Sequence, residues 1–317
     1  MKNEEYLDFT SALKIILNNK KLIIGGSLLF SICIAIGTLF LDNYYLSKAK
    51  VYAINSMQLS PKAMYGEEVQ EIYGDSKEVD RVVSVATSNA VKDYVINKYN
   101  LMKHYKIDTT NPSKRSKLFK QYNSNITVDN DERGAIEVKV YDTDPIMAAN
   151  IANDIVLKTN DQCVDNVRAT IRETMRIQEA VMNSTQKNVA EFQDSLTKVS
   201  LEYGIVMSGG GDDGATSMKA LKGWENFMKG IDIVTGLKAK LTVLNEQYAL
   251  ALDGYNKANQ TLNAKQSALN VVEGAIPSDI KSKPIRSLIT IGAFLFSLFL
   301  LTLYVTFKDY FYPKLKE

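Results

Sequence analysis

Residues able to perform catalysis are sparse in this 317-residue chain. His104 is the only histidine, so a two-histidine metal site cannot form. Its place beside Lys103 and Tyr105, at the end of a helical pattern, indicates a surface residue. The two cysteines, Cys33 and Cys163, form no cluster, and most carboxylates fall on amphipathic helical patterns where a solvated face explains them. We therefore predict a protein that is not an enzyme, with no catalytic residue, cofactor or metal.

One segment matches the outline of a nucleotide-binding loop. Residues 209–216 read GGGDDGAT and precede a helical pattern. A P-loop needs a lysine at the next-to-last position to reach the terminal phosphates, and that position holds Ala215. Asp212 and Asp213 would also repel polyphosphate. We interpret this segment as the flexible tip between two helices.

Two uncharged apolar stretches indicate membrane helices. They cover residues 22–41 and residues 287–307, and each has the length that a helix needs to cross a bilayer. The first stretch follows a polar N-terminal segment, is too long for the core of a signal peptide, and lacks a small-residue cleavage pattern after Thr38. It is therefore interpreted as a retained anchor.

The lysines around these stretches favour a cytoplasmic N-terminus only slightly, whereas two spans place both termini on the same side. We predict short cytoplasmic tails at residues 1–21 and 308–317, with the segment 42–286 outside the cytoplasm. Cys33 lies within the first span, so no intramolecular disulfide is expected. The net charge of +2 gives no indication of a nucleic acid partner.

The external segment begins with an α/β pattern over residues 42–143. Residues 50–59 are strand-like, residues 80–105 have a helical pattern, and residues 125–128 and 135–141 predict two strands around a polar turn. A small α/β module is therefore expected next to the first span.

Residues 144–275 predict a long antiparallel helical hairpin. Asp144 is a suitable N-cap and Pro145 suits the first helical position. The first helix is predicted over 145–203, the glycine-containing tip near 204–215, and the second helix over 216–272. A seam with heptad spacing supports the second helix. Its residues are Leu237, Leu241, Leu244, Tyr248, Ala251, Tyr255, Ala258, Leu262, Lys265, Leu269, Val272 and Ile276.

A proline-containing connector, residues 276–286, joins the hairpin to the second span. Pro277 and Pro284 restrict the backbone, so the connector is expected to be stiff and irregular and to end at Arg286. Within the second span, Ala293 and Ser297 form a small-xxx-small pair that lets helices approach closely in lipid. The complete prediction is an α+β membrane protein with two transmembrane helices flanking the α/β module and the hairpin.

Several short motifs resemble the polysaccharide co-polymerase family, the Wzz-type chain-length determinants. Residues 6–9 read YLDF before the first span, and residues 135–138 read AIEV. Residues 142–153 then read DTDPIMAANIAN, similar to the family's D-x-D-P-x-x-A-A-x-x-A-N helix start. Pro277 and the sequence Pro284-x-Arg286 resemble the proline-rich segment before the family's second span. The chain has Ile280 where many members have a further proline.

The resemblance implies a non-enzymatic regulator of the chain length of O-antigen, capsule or exopolysaccharide. Such proteins form rings of identical subunits in the bacterial inner membrane, beside a membrane-embedded polymerase, and the growing polysaccharide or its lipid carrier is a further potential partner. Some relatives carry a cytoplasmic kinase domain after the second span, for which residues 308–317 are too short. The layout is shared by inner-membrane adaptors of polysaccharide export, which remain the alternative. A receptor would need a cytoplasmic output domain.

Overall fold

The computed structural model describes residues 9–59, 71–108, 110, 112–205 and 224–314. Most of the predicted tip, including the P-loop-like segment, lies outside these residues, so the expectation of a flexible tip stays a prediction. The first three residues of the YLDF motif also lie outside them.

Helices and strands alternate in the first half of the chain, and helices dominate the second. The helices are α1 (Phe9–Asn18), α2 (Lys20–Thr38), α3 (Ser76–Ala86), α4 (Asn89–Lys98), α5 (Leu101–His104), α6 (Lys114–Asn125), α7 (Pro145–Glu202), α8 (Trp224–Asn263) and α9 (Arg286–Lys314). The strands are β1 (Tyr44–Ala53), β2 (Ile126–Asn130), β3 (Ile136–Asp142), β4 (Leu269–Glu273) and β5 (Lys281–Lys283). A short 3-10 helix covers Ser56–Leu59.

One antiparallel sheet joins distant parts of the sequence. Its order is β2-β3-β1-β4, and β5 pairs with the start of β1. Val51 pairs with Ile136 on β3 and with Val271 on β4. The central strand β1 therefore follows the first apolar helix in the sequence, whereas its partners β4 and β5 precede the last apolar helix.

The core lies between this sheet and the first part of α7. Ala49, Val51 and Ala53 alternate along β1 and are almost fully buried. Small residues Ala148 and Ala152 on α7, both 0% exposed, let the helix lie close to the sheet, and Ile151 and Ile155 fill the space beside them. The helical pattern predicted over 80–105 forms three helices, because Ser88 caps α4 by accepting a bond from the Val91 amide and Asn100 adopts a left-handed conformation before α5.

The predicted antiparallel hairpin is confirmed for α7 and α8. Leu196 on α7 packs in one apolar cluster with Val234 on α8. Lower down, the Lys240 ammonium lies 5.2 Å from the ring centre of Phe192. The seam faces α7 as expected as far as Leu262, with Leu244, Ala251 and Ala258 buried.

The second helix ends earlier than predicted. The prediction of helix to Val272 is wrong, because α8 ends at Asn263 and residues 269–273 form β4. Val272 and Ile276 are 55% and 72% exposed, so they are not part of the seam. Pairing with β4 gives hydrogen-bond partners to the backbone groups along one edge of β1, which a continued helix would leave unpaired. The heptad spacing gives no sign of this competition.

Two glycines on α8 provide a matched pair for testing the hairpin. A Cβ at Gly230 would lie 2.6 Å from Cβ and Cγ of Tyr203, whereas a Cβ at Gly236 would meet nothing within 4 Å. We expect Gly230→Ala to destabilise the protein by about 1–3 kcal/mol through overpacking. Gly236→Ala should stabilise it by about 1 kcal/mol through helix propensity. Thermal unfolding of the full chain in detergent, followed by circular dichroism, measures both, and shifts of the same sign would contradict this packing.

The two candidate membrane helices pack against each other. By length and composition both could cross a bilayer, and only 22% and 11% of their apolar windows are buried in the protein. A core helix of a water-soluble protein would be mostly buried. The observed helix α2 ends at Thr38, before the predicted limit of residue 41, and α9 continues past the predicted limit of residue 307.

Polar contacts link these helices at three levels. The Arg286 guanidinium donates to Asn43 Oδ1 at 3.1 Å at the end of the helix pair nearest the sheet, and Asn19 Nδ2 donates to Asp309 Oδ2 at 2.8 Å at the other end. Between them, Ser297 Oγ lies 3.4 Å from the Ser27 carbonyl oxygen. The helices therefore form an antiparallel pair.

Candidate functional site

The candidate site is the end of the sheet nearest the apolar helix pair, which we call the base. It comprises the start of β1, the end of β3, the start of α7 and the connector to α9. Residues from four distant parts of the chain meet there.

The D-x-D-P motif builds two contacts at the base. Asp144 Oδ1 accepts the amides of Ile146 and Met147 at 2.9 and 3.3 Å and thereby caps α7, with Pro145 as the first helical residue. Asp142, whose side chain is 1% exposed, lies with both carboxylate oxygens 2.9 Å from His104 Nε2. The interpretation of His104 as a surface residue is therefore corrected: its side chain is 24% exposed and ties α5 to the end of β3.

Tyr105 lies beside this pair. Burial raises the pKa of the Tyr105 phenol to about 12, with the negative charge of Asp142 acting in the same direction. The phenol is therefore neutral at physiological pH. Together with the fully buried Leu101, it closes the core beneath α5. These groups fix the position of α5 on the sheet.

Two asparagines on α7 hold the returning chain. Asn153 Nδ2 donates to the Ala275 carbonyl oxygen at 2.9 Å, and Asn153 Oδ1 accepts the Ala275 amide at 2.8 Å. Asn160 Oδ1 accepts the amides of Ala268 and Leu269 at 2.9 and 3.2 Å. The two side chains thus bind the chain at each end of β4. Asn153 is the last residue of the D-x-D-P motif, and Asn160, on the same helix face, has no such signal in the sequence.

The connector runs from these contacts to α9. Ser47 Oγ donates to the Ile276 carbonyl oxygen at 3.0 Å, and β5 then pairs with Tyr44 and Tyr45. Pro277 is exposed and Pro284 is half-buried. Arg286 begins α9 and reaches Asn43. The connector is therefore partly a strand.

The predicted small-residue pair lies on α9. Ser297 is 6% exposed and faces Ser27 of the same chain, which is 0% exposed, while Ala293 is half-buried. A Cβ at the neighbouring Gly26 would approach the end of the Leu301 side chain to 2.8 Å, so the helices are in close contact. Ser297 thus serves packing within one subunit. A role of this pair between subunits stays a prediction.

A cavity of about 720 Å³ lies above the sheet, between α3, α7 and α8. Its lining is largely apolar and includes Val82, Val167, Ile171 and Cys163. Burial raises the pKa of the Cys163 thiol to about 11. The reactive thiolate is therefore scarce at neutral pH.

Cys163 should react slowly with alkylating reagents. At pH 8 a thiol with a pKa of about 11 is roughly one part in a thousand thiolate. In a Cys33→Ser variant, we expect iodoacetamide to label native Cys163 at least ~100-fold more slowly than the exposed cysteine of a Cys33→Ser, Cys163→Ser, Ser195→Cys variant. Mass spectrometry of timed samples measures this. Equal rates would mean that the thiol is accessible and ionised.

The base has the character of a structural junction. Among the described residues, no group of three or more histidine, cysteine, aspartate or glutamate side chains could hold a metal ion. The contacts found at the base are caps, a histidine–carboxylate contact, amide clamps and strand pairing, and they set the relative positions of helices and strands. Sequence reasoning identified Asp144, Pro145, Pro277, Pro284 and Arg286 there, and it missed Asn153 as a clamp and Asp142 with His104 as a pair.

Comparisons with known proteins gave structural similarities alone. No protein-family model and no curated protein sequence matches the chain. Among solved structures, a full-length bacterial polysaccharide co-polymerase is 13% identical over 95% of this chain and 97% of its own, with a TM-score of 0.42.

Two further structures belong to proteins of the same kind. The Shigella flexneri lipopolysaccharide O-antigen chain-length regulator WzzBSF is 9% identical over 75% of this chain and 100% of its own, with a TM-score of 0.28. A fragment of WzzB, a polysaccharide co-polymerase from Salmonella Typhimurium, is 10% identical over 76% of this chain and 100% of its own, with a TM-score of 0.24.

Proposed function

We propose that this protein regulates the chain length of a bacterial surface polysaccharide without itself forming or breaking a bond. The polymer is an O-antigen, a capsule or an exopolysaccharide. The protein would act as a ring-like homo-oligomer in the inner membrane, beside a membrane-embedded polymerase. The growing polysaccharide or its lipid carrier would be a further partner.

The base carries this proposal. Strands from the segment after α2 and the segment before α9 pair in one sheet, directly next to a packed pair of apolar helices. A long hairpin leaves the same sheet, and Asn153 and Asn160 on its first helix bind the chain at the two ends of β4. Such an arrangement suits a rigid scaffold that stands on a membrane. The D-x-D-P motif, which resembles that of chain-length determinants, supplies the cap and one of these clamps.

The domain layout belongs to the same proposal. Residues 1–21 and 308–317 would be cytoplasmic, residues 22–41 and 287–307 would span the membrane, and residues 42–143, 144–275 and 276–286 would form the periplasmic module, hairpin and connector. The exposed apolar surfaces of α2 and α9 support the two spans. Because α8 ends at Asn263, β4 belongs to the module and not to the hairpin.

Exposed apolar side chains on the external domain support self-association. Ile146, Leu157, Leu201 and Leu250 are 61%, 59%, 78% and 72% exposed. These side chains are spread along the hairpin, so each could give an apolar contact to a neighbouring subunit at a different height. A homo-oligomer would cover the same residues on each subunit, as a closed ring requires.

Deletion of the gene tests the proposed function. We expect the deletion strain to keep producing polymer but to lose its preferred length, so that the bands on a gel decrease smoothly with size. Restoring the gene on a plasmid should restore the preferred length. Polymer of unchanged length that accumulates inside the cell would instead support the export adaptor. Loss of all polymerised product would oppose both readings and indicate an essential step in synthesis.

A further inference from the structure

The connector exposes apolar side chains at the base. Ile276, Ile280 and Ile285 are 72%, 78% and 58% exposed. Burying an isoleucine side chain is favourable by about 1.5–3 kcal/mol relative to leaving it in water. Three such residues within one short segment are therefore unfavourable unless another apolar phase covers them.

The lower part of the connector lies close to the start of the second apolar helix. Lys283 pairs with Tyr44 and Lys281 with Tyr45, which fixes β5 beside the beginning of β1. From Lys283 to Arg286, the first residue of α9, the chain extends at most about 10 Å. The headgroup region on each side of a bilayer is about 5–8 Å thick. The side chains of this stretch are therefore at the depth of the lipid headgroups once α9 crosses the membrane.

The charges of this surface suit anionic headgroups. Lys281 and Lys283 are exposed, and neither forms an ion pair within the part of the chain that the structure describes. The Lys283 ammonium lies 3.5 Å from the ring centre of Tyr141. Tyrosines are common at membrane interfaces, where one end is apolar and the other wet.

Other charged groups at the base also contribute to the net charge of this surface. Lys103 and Lys106 are exposed near the same end of the sheet, where His104 binds Asp142 and Asp142 pairs with Tyr45. The exposed carboxylates of Asp42 and Asp279 lie in the adjoining segments. Asp144, whose exposed carboxylate caps α7 at the base, adds a third negative charge, and four lysines against three carboxylates leave the surface positive.

We propose that the connector rests on the membrane, with Ile280 and Ile285 in the boundary of the outer leaflet and Lys281 and Lys283 on the phosphates of anionic phospholipids. Ile280 and Ile285 flank Lys281 and Lys283, so apolar and charged side chains lie within the same six residues and both contacts can form at once. The contact would hold the external domain at a fixed height and tilt. This inference rests on the proposed membrane anchoring and is independent of the role in polymer length.

Quenching by brominated lipids tests the contact. Trp224 is the only tryptophan, so a Trp224→Phe, Ile280→Trp variant of the full chain reports from one place in the connector. In nanodiscs we expect its fluorescence to be quenched by brominated lipid. Quenching by brominated phosphatidylglycerol should exceed quenching by brominated phosphatidylcholine at least about fivefold, which is the ratio expected from the attraction of one lysine to an anionic surface. Trp224→Phe with Leu250→Trp, on the hairpin, should show no quenching.

Lysine variants separate charge from insertion. Adding Lys281→Gln and Lys283→Gln should reduce the preference for phosphatidylglycerol to less than about twofold while quenching by phosphatidylcholine remains. Lys198→Gln with Lys238→Gln, exposed lysines on the hairpin, should leave the preference unchanged. An unquenched tryptophan at position 280 would overturn the proposal, and so would an unchanged preference in the Lys281 and Lys283 variant. An unquenched tryptophan whose emission depends on the number of copies in each nanodisc would assign the isoleucines to a second subunit. Failure of the chain to enter nanodiscs would instead contradict the membrane anchoring.

Discussion

Replacing Asn153 by alanine is expected to lower the midpoint of thermal unfolding by roughly 5–15 °C. The side chain bonds both the amide and the carbonyl of Ala275, a residue that is 7% exposed. Each buried backbone group left without a partner costs about 1–3 kcal/mol. A total of about 2–4 kcal/mol corresponds to this shift for a domain of this size. Circular dichroism of the full chain in detergent measures the midpoint.

A neighbouring asparagine provides the matched control. Asn150 lies on the same helix within the same motif, but its side chain is exposed. Asn150→Ala should therefore change stability by less than about 0.5 kcal/mol. Hydrogen exchange should locate the damage: in Asn153→Ala, the amides of β4 and β5 should exchange faster, while those of the upper hairpin keep their rates. Equal effects of the two alanine variants would refute the clamp.

Replacing Pro277 and Pro284 together by alanine is expected to change the modal length of the polymer while polymer is still made. Proline fixes its own backbone angle φ, and each proline restricts the chain by about 0.4–1 kcal/mol relative to other residues. Without them the connector samples more angles between the external domain and α9, so we expect a shifted and broader length distribution. Gel analysis of surface polysaccharide, with immunoblotting of the protein in membrane fractions, measures both outcomes.

Pro112→Ala is the control for this experiment, because Pro112 is exposed and lies outside the connector. It should leave the length distribution unchanged. A double variant with normal protein level and no polymer would point to an essential role in synthesis and refute the proposed regulation. A double variant with an unchanged distribution would remove the connector from the mechanism.

The elements with strong local signals could be predicted from the sequence. Long uncharged stretches identify α2 and α9, because a bilayer imposes both composition and length. Asp144 and Pro145 identify the start of α7, because capping depends on adjacent residues alone. The heptad seam identifies the part of α8 that faces α7, where the pattern and the packing agree.

The base could be predicted only in part, because its contacts join residues far apart in sequence. β4 lies within a stretch that continues the heptad spacing, and only its pairing with β1 makes it a strand. Likewise, nothing near His104 indicates that its partner is Asp142. Asp142 is the last residue of β3, and a loop, α6 and β2 separate it from His104 in the sequence. Asn160 has a helical neighbourhood without any motif, so its role depends on the position of a chain that returns much later.

The sheet order has a consequence for biogenesis. β1 is made soon after the first apolar helix, yet its partners β4 and β5 are made only after the entire hairpin. During synthesis one edge of β1 therefore stays open until about 270 residues have been made. Pairing across such a distance is slow compared with helix formation, so the hairpin forms first and the sheet closes last. Under the proposed membrane topology, the final closure coincides with arrival of α9 at the bilayer, which would couple completion of the periplasmic fold to insertion of the second anchor.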